Sequence, residues 1–292
     1  MIEPGEEPVA DASTADVAPH RARRSPLFRE SALLRTLALV GALLEFPLAV
    51  ALKSLDLSKL GRALPFLWVT LVFVSLVPLA LTLIPRLGLP GAPIVAAKIS
   101  GEKLHVSIRN FLKITMGYAI LAPVVGGCVL GLVVVPILLL HPGGSSLKLP
   151  MSPILTAAPG RIAAFGVLVA VTAAISEEIQ FRLVLFALAA WVARLFSRDD
   201  SGAPGRGAMW CATFVQGYAF GMIHLVPVAG AMFHSKIVLL LAGLVMPQTW
   251  EGVVFGRLYL RRGLEASMLA HATMDAALFV IAALAMSHSP LG

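Results

Sequence analysis

The chain reads as a series of long apolar runs joined by short polar connections. A membrane-spanning helix needs about 20 mostly apolar residues. Seven runs meet that length: 31–52, 64–84, 111–140, 161–196, 208–233, 237–260 and 264–286. The pattern therefore predicts an all-α, polytopic transmembrane helical bundle. The run 161–196 is the longest. As one helix at 1.5 Å per residue it would reach about 54 Å, well beyond a hydrocarbon core of about 30 Å. It is either one over-long span or two pieces, so the expectation is seven or eight spans. The run 111–140 is long enough to span with tilt or an interfacial extension. Residues 90–110 mix apolar positions with Lys98, Glu102, Lys103, His105 and Arg109. That mixture predicts a helix lying in the inner interface.

Composition supports the same class. Hydrophobic residues make up 58% of the chain and charged residues 13%, against about 25% charged in a soluble domain. So few charges cannot cover a soluble surface, which excludes a soluble enzyme, a disulfide scaffold and a disordered chain. Cys128 and Cys211 both lie inside apolar runs and read as small packing residues. The net charge of +7 sits in loops beside the spans, where it sets orientation, and implies no nucleic acid. Arg21, Arg23, Arg24, Arg29 and Arg35 precede the first span, and Arg194, Arg198, Arg206, Arg257, Arg261 and Arg262 fall in segments that seven spans would place on the same side. The N-terminus is therefore expected in the cytoplasm. The loop carrying Lys53, Lys59 and Arg62 fits this less well. Residues 1–20 hold five acids and no Lys or Arg. The region 1–30 is expected to be a disordered cytoplasmic tail, followed by N-terminal transmembrane helices over 31–160 and a core over 161–287.

Charge inside a bilayer costs a few kcal/mol per group on insertion scales, so what survives marks function or a specific pair. Four places stand out. Glu177 and Glu178 are adjacent within an apolar run. Neighbours on a helix point about 100° apart, so the two cannot serve one point equally. Arg182 is four residues after Glu178, the spacing for an ion pair on one helix face, and Glu177 then faces elsewhere. A desolvated carboxylate can act as a base near neutrality. Phe220 is followed four residues later by His224, on a stretch with Gly217 and Gly221 and with Pro227 just beyond. His271 and Asp275 share a face of the last helix, where Asp275 can fix the His271 tautomer. Gln248, Glu251 and Gly252 share a face, and Gly252 and Gly256 form a small-residue pair suited to helix contact; Glu251 reads as structural or supporting. His224 and His271 with a carboxylate could ligate zinc, but the spacing matches no known zinc pattern.

Taken in order, Glu177-Glu178-x-x-x-Arg182, Phe220-x-x-x-His224 and His271-x-x-x-Asp275 on separate apolar helices resemble the CPBP family, the CAAX protease and bacteriocin-processing proteins, also called Abi. These are related to the type II CAAX prenyl endopeptidases. Gly256 and the run from Gly263 to His271 also look like that family's last motif region. The resemblance covers roughly 161–286. It implies a multi-span intramembrane endopeptidase acting on a membrane-associated peptide or protein, in a bacterial inner (plasma) membrane. It further implies that Glu177 activates the attacking water with His224, that His271 and Asp275 stabilise the oxyanion, and that Glu178, Arg182 and Phe220 support them. No metal or other cofactor is implied. The family commonly has Asn where this chain has Asp275. An amide donates a hydrogen bond and an ionised carboxylate does not. Asp275 is therefore either protonated or acts through His271. Intramembrane Glu, His and Asp also build proton relays, so a proton-coupled transporter is the rival reading, with a non-catalytic membrane scaffold as a third.

Overall fold

A computed structural model describes residues 27–53, 64–103, 107–134, 136, 159–232 and 236–287. The expected tail over 1–30 lies outside these residues, apart from its last four, which form the first turn of α1. The described residues are predominantly helical, with one isolated bridge between Arg198 and Pro204 among them. The helices are α1 (Leu27–Lys53), α2 (Leu64–Leu83), α3 (Pro93–Ser100), α4 (Ile108–Val129), α5 (Pro159–Glu178), α6 (Phe186–Ala193), α7 (Arg206–Met232), α8 (Lys236–Val245), α9 (Pro247–Arg262) and α10 (Leu264–Ser287). A π-helical segment, Ile179–Leu185, joins α5 to α6.

Among the described residues, four helical stretches are long and apolar enough to cross a membrane: Val69–Leu87, Ile108–Val133, Ala163–Ala193 and Leu264–Ser287. A fifth is added if the bent pair Ile237–Val245 and Pro247–Arg262 counts as one span. Four or five is fewer than the seven or eight that run length alone suggests. The long run 161–196 does not split into two pieces. It continues through the π-helical segment and yields one 31-residue candidate span. The run 237–260 does break, by 55°, at Met246. Pro227, by contrast, lies inside an unbroken α7.

The break has a local cause. Pro247 has no N–H to offer the carbonyl four residues back, which is that of Gly243. Thr249 Oγ1 donates to that carbonyl instead at 2.6 Å. Trp250 Nε1 donates to the Leu244 carbonyl at 2.9 Å, and Tyr218 on α7 donates to that of Leu240. Within a bilayer core, where no water can substitute, such replacements make a broken helix tolerable.

The core is built around α5 and its π-helical continuation. α5 packs on α1 and α10, while α9 packs on α7 and α4. One apolar cluster gathers Leu34, Val77, Leu81, Leu183, Phe186 and Tyr259. The second, including Ala122, Phe255, Leu258 and Ala270, joins α4, α9 and α10. Outward-facing Leu71, Val72, Ile120, Leu168 and Ile281 are exposed, as lipid-facing side chains are. Gly263 joins α9 to α10 with φ of 87°. The first turn of α10 is tied down there, because Leu264 N–H donates to the Gly91 carbonyl and Glu265 accepts from Val95 N–H at 2.7 Å.

α7 and α9 meet at glycines. A Cβ on Gly217 would sit 2.8 Å from the Thr249 carbonyl oxygen and 2.9 Å from Val253 N. Both are backbone atoms, so the helices must part to admit it. Gly217→Ala is expected to lower stability by about 1–3 kcal/mol, measured as unfolding of the purified protein in detergent. Unchanged stability would show that this crossing yields freely.

Candidate active site

The acid doublet ends α5, where the π-helical segment begins. One extra residue per turn widens the helix locally, a feature often found at functional sites. It leaves Glu178 and Arg182 on one face, with Arg182 Nη1 3.1 Å from Glu178 Oε1. Both side chains are wholly buried. The guanidinium lies over the Phe220 ring at 4.5 Å and near the Phe255 ring at 5.6 Å. An ion in so dry a place needs a counter-charge and polarisable neighbours, and Arg182 has both.

Glu178 has more partners than the i,i+4 spacing reveals. His271 Nδ1 stands 2.9 Å from its Oε1, and Ser267 Oγ donates a short hydrogen bond to its Oε2. Ser267 also reaches the Phe255 carbonyl. One carboxylate thus ties the π-helical segment to α10 through three polar contacts.

The other nitrogen of His271 faces two further carboxylates. Nε2 is 3.3 Å from Asp275 Oδ2 and 3.8 Å from Glu177 Oε2. Glu177 and Glu178 thus approach one imidazole unequally and at different nitrogens, as neighbours 100° apart on a helix must. They reach it because the imidazole offers two nitrogens pointing in different directions, and each acid approaches its own.

His224 sits on α7. Its Nδ1 is 2.8 Å from the Phe220 carbonyl, so Nδ1–H donates and Nε2 keeps a lone pair. Phe220 separates the two histidines, edge-on to His224 at 4.8 Å and to His271 at 5.6 Å. The Phe255 ring stacks on His271 at 5.1 Å. His224 lies within electrostatic reach of His271 and Asp275. It is exposed on its outer face, and the Asp275 side chain is 25% exposed. The site is closed around Glu178 and open toward His224 and Asp275.

Every residue singled out in the three motifs therefore lies around one centre. Sequence reasoning missed two contributors, Ser267 and Phe255. Both stand inside stretches notable for other residues, and a lone serine or phenylalanine in an apolar helix carries no signal of its own. Glu251 turns out to lie near the same centre, with Asp275, His271 and Arg182 as its electrostatic neighbours. Among the described residues, no three His, Cys, Asp or Glu side chains are grouped as a metal ion would require.

Buried acids and imidazoles from separate helices of a membrane bundle are thus brought together at one centre. Residues 159–277 match the model of a family described as type II CAAX prenyl endopeptidase Rce1-like. This part of the chain is an Rce1-like domain, of a protease family and consistent with the CPBP resemblance of its motifs, and the protein is an integral membrane protein. No curated protein and no solved structure matches the chain.

Proposed function

We propose that this protein is an intramembrane endopeptidase that hydrolyses a peptide bond of a membrane-associated peptide or protein, using Glu177 to activate water. The observation that carries this reading is the clamp on His271. Glu178 takes Nδ1, which leaves Nε2 facing Glu177 and Asp275.

Peptide hydrolysis needs a base for water, donors for the developing oxyanion and a proton for the leaving amine. Glu177 takes the water proton and later delivers it to the amine nitrogen. The His224 Nε2 lone pair accepts the second water hydrogen and fixes the direction of attack. His224 thus orients water as an acceptor, while the oxyanion is left to the α10 side. His271, with a hydrogen on each nitrogen, keeps one on Glu178 and turns the other to the carbonyl oxygen. Asp275 borders the same oxygen. This division of labour resembles that of a buried acid holding an imidazole for its partner. The arrangement is read as lying in a bacterial inner membrane with the N-terminus in the cytoplasm, in a bundle of seven or eight spans.

The test compares membrane peptidomes of cells carrying the wild-type protein and its Glu177→Gln variant. Fragments that appear only with wild type identify the substrate. Identical peptidomes, with both proteins present at equal levels, count against the reading. A Phe220→Ala variant gives a supporting check. Its ring borders Arg182 and both imidazoles, so the truncation is expected to cost about 3–5 kcal/mol of stability. Thermal unfolding in detergent measures it.

A further inference from the structure

α7 and α9 run antiparallel through their glycine crossing. Gly221 meets Thr249, Gly217 meets Val253, and Gly256 meets Gln216 and Thr213, so one helix counts up as the other counts down. The register continues to the end of the pair, where the Arg257 guanidinium lies over the Trp210 indole at 4.4 Å. One turn beyond, about 6 Å further along each helix, stand Arg206 at the start of α7 and Arg261 near the end of α9. Side chains four residues apart share a helix face. Arg206 therefore follows Trp210 and Arg261 follows Arg257, at one level, on the face where indole and guanidinium stack.

This face is open. Trp210 is 45% exposed, Arg206 and Arg261 are exposed, and Arg257 is partly buried. Among the described residues, none of the three arginines pairs with a carboxylate. α7 contains no acid, and the one acid on α9, Glu251, stands six residues before Arg257 and faces Gly126 of α4. In the hairpin leading into α7, Asp199 is turned onto Ser201 and the Ala203 N–H. At the start of α10, Glu265 accepts from Val95 N–H. Three like charges this close repel one another. A guanidinium stacked on a ring still points its N–H groups outward in its own plane, where they fit the oxygens of a phosphate.

Toward the middle of the bundle the same face turns aromatic. Phe214, one turn below Trp210, is 40% exposed and lies edge-on to Trp250 of α9 at 6.3 Å. Charge thus sits at the end of the helices, an indole follows at the level where tryptophans border membrane and water, and rings follow where acyl chains run. The sequence basic, amphipathic, apolar is that of a phospholipid traced from headgroup to chain.

We propose that this face binds an anionic phospholipid of the adjoining leaflet: Arg206, Arg257 and Arg261 hold its phosphate, and an acyl chain lies along Phe214 and Trp250. A free phosphate would meet the arginines and leave the rings uncovered. A zwitterionic lipid would cover the rings but add a fourth cation to three unpaired ones. A phospholipid of net negative charge answers both. It also bridges the helix that carries His224 to the one that carries Phe255, beside their glycine crossing. The site stands apart from the catalytic reading and does not depend on it.

The test titrates full-length protein in a neutral detergent with dioleoyl phosphatidylglycerol or dioleoyl phosphatidylcholine, and native mass spectrometry counts the bound lipid. Wild type is expected to take up one phosphatidylglycerol with an affinity about tenfold or more above that for phosphatidylcholine. Arg206→Gln and Arg261→Gln are each expected to raise the Kd for phosphatidylglycerol about fivefold, and the double variant about thirtyfold, with phosphatidylcholine binding unchanged. Arg86→Gln/Arg109→Gln removes the same charge from exposed positions elsewhere and is expected to leave both affinities as they are. Equal midpoints of thermal unfolding show that the variants keep the fold. A loss of the same size in both double variants reveals diffuse charge attraction and overturns the site. So does a wild type without preference for phosphatidylglycerol, or an Arg206→Gln/Arg261→Gln variant that binds it as wild type does. Displacement of the lipid by millimolar inorganic phosphate assigns the arginines to a free anion and overturns it as well.

Discussion

Glu177→Gln is expected to abolish peptide cleavage while leaving the protein folded. The amide keeps the shape of the side chain but cannot take a proton from water. Removing a general base alone costs about 10²–10⁴ in rate, and in the proposed mechanism the same group also returns the proton to the leaving amine. The fold should tolerate the change. The Arg182 ion pair, the His271 Nδ1 contact and the Ser267 hydrogen bond all belong to Glu178. Single-turnover cleavage by purified protein, read beside thermal unfolding in the same detergent, checks both halves. Turnover near the wild-type rate would defeat the mechanism.

Arg182→Met is expected to destabilise the protein by about 3–5 kcal/mol, the cost of leaving a buried partner charge uncompensated. Glu178 would then sit fully buried with Ser267 and His271 but without its cation. Glu178→Gln should do comparable harm by stranding Arg182 between two phenyl rings. Since both changes damage one unit, the double variant Glu178→Gln/Arg182→Met should cost clearly less than the two losses added together. Equilibrium unfolding of the four proteins in mixed micelles measures this. Strict additivity would show that the two residues act separately.

The sequence carried the chemistry further than the architecture. Glu177, Glu178, Arg182, His224, His271 and Asp275 stand out because charge is scarce in apolar runs, and that scarcity needs no knowledge of tertiary structure. Their convergence on His271 was not visible. A helical wheel treats a target as a point, whereas an imidazole accepts two approaches. Glu251 could not be placed because its neighbours come from α4, α10 and the π-helical segment, all distant in sequence. Ser267 was hidden for the opposite reason, as an ordinary small residue in an apolar helix. Run length left the choice between seven and eight spans open, and the four or five candidate spans are a count of the described residues alone. Run length cannot tell that residues 161–196 continue through a widened turn, or that residues 237–260 bend at Pro247 rather than α7 bending at Pro227. The bend depends on which carbonyls Thr249 and Trp250 can reach, and that is a property of three dimensions.

The asymmetric burial of the centre bears on the order of events. Glu178 and Arg182 are walled off, whereas His224 and Asp275 meet the outside. On the proposed reading, reactant and solvent reach the centre from that one exposed side. A polypeptide settled across that approach shuts the door behind it, so the molecule to be split in the reaction has to be loaded before its target docks. Each departure of the severed ends then doubles as the refilling step for the next round.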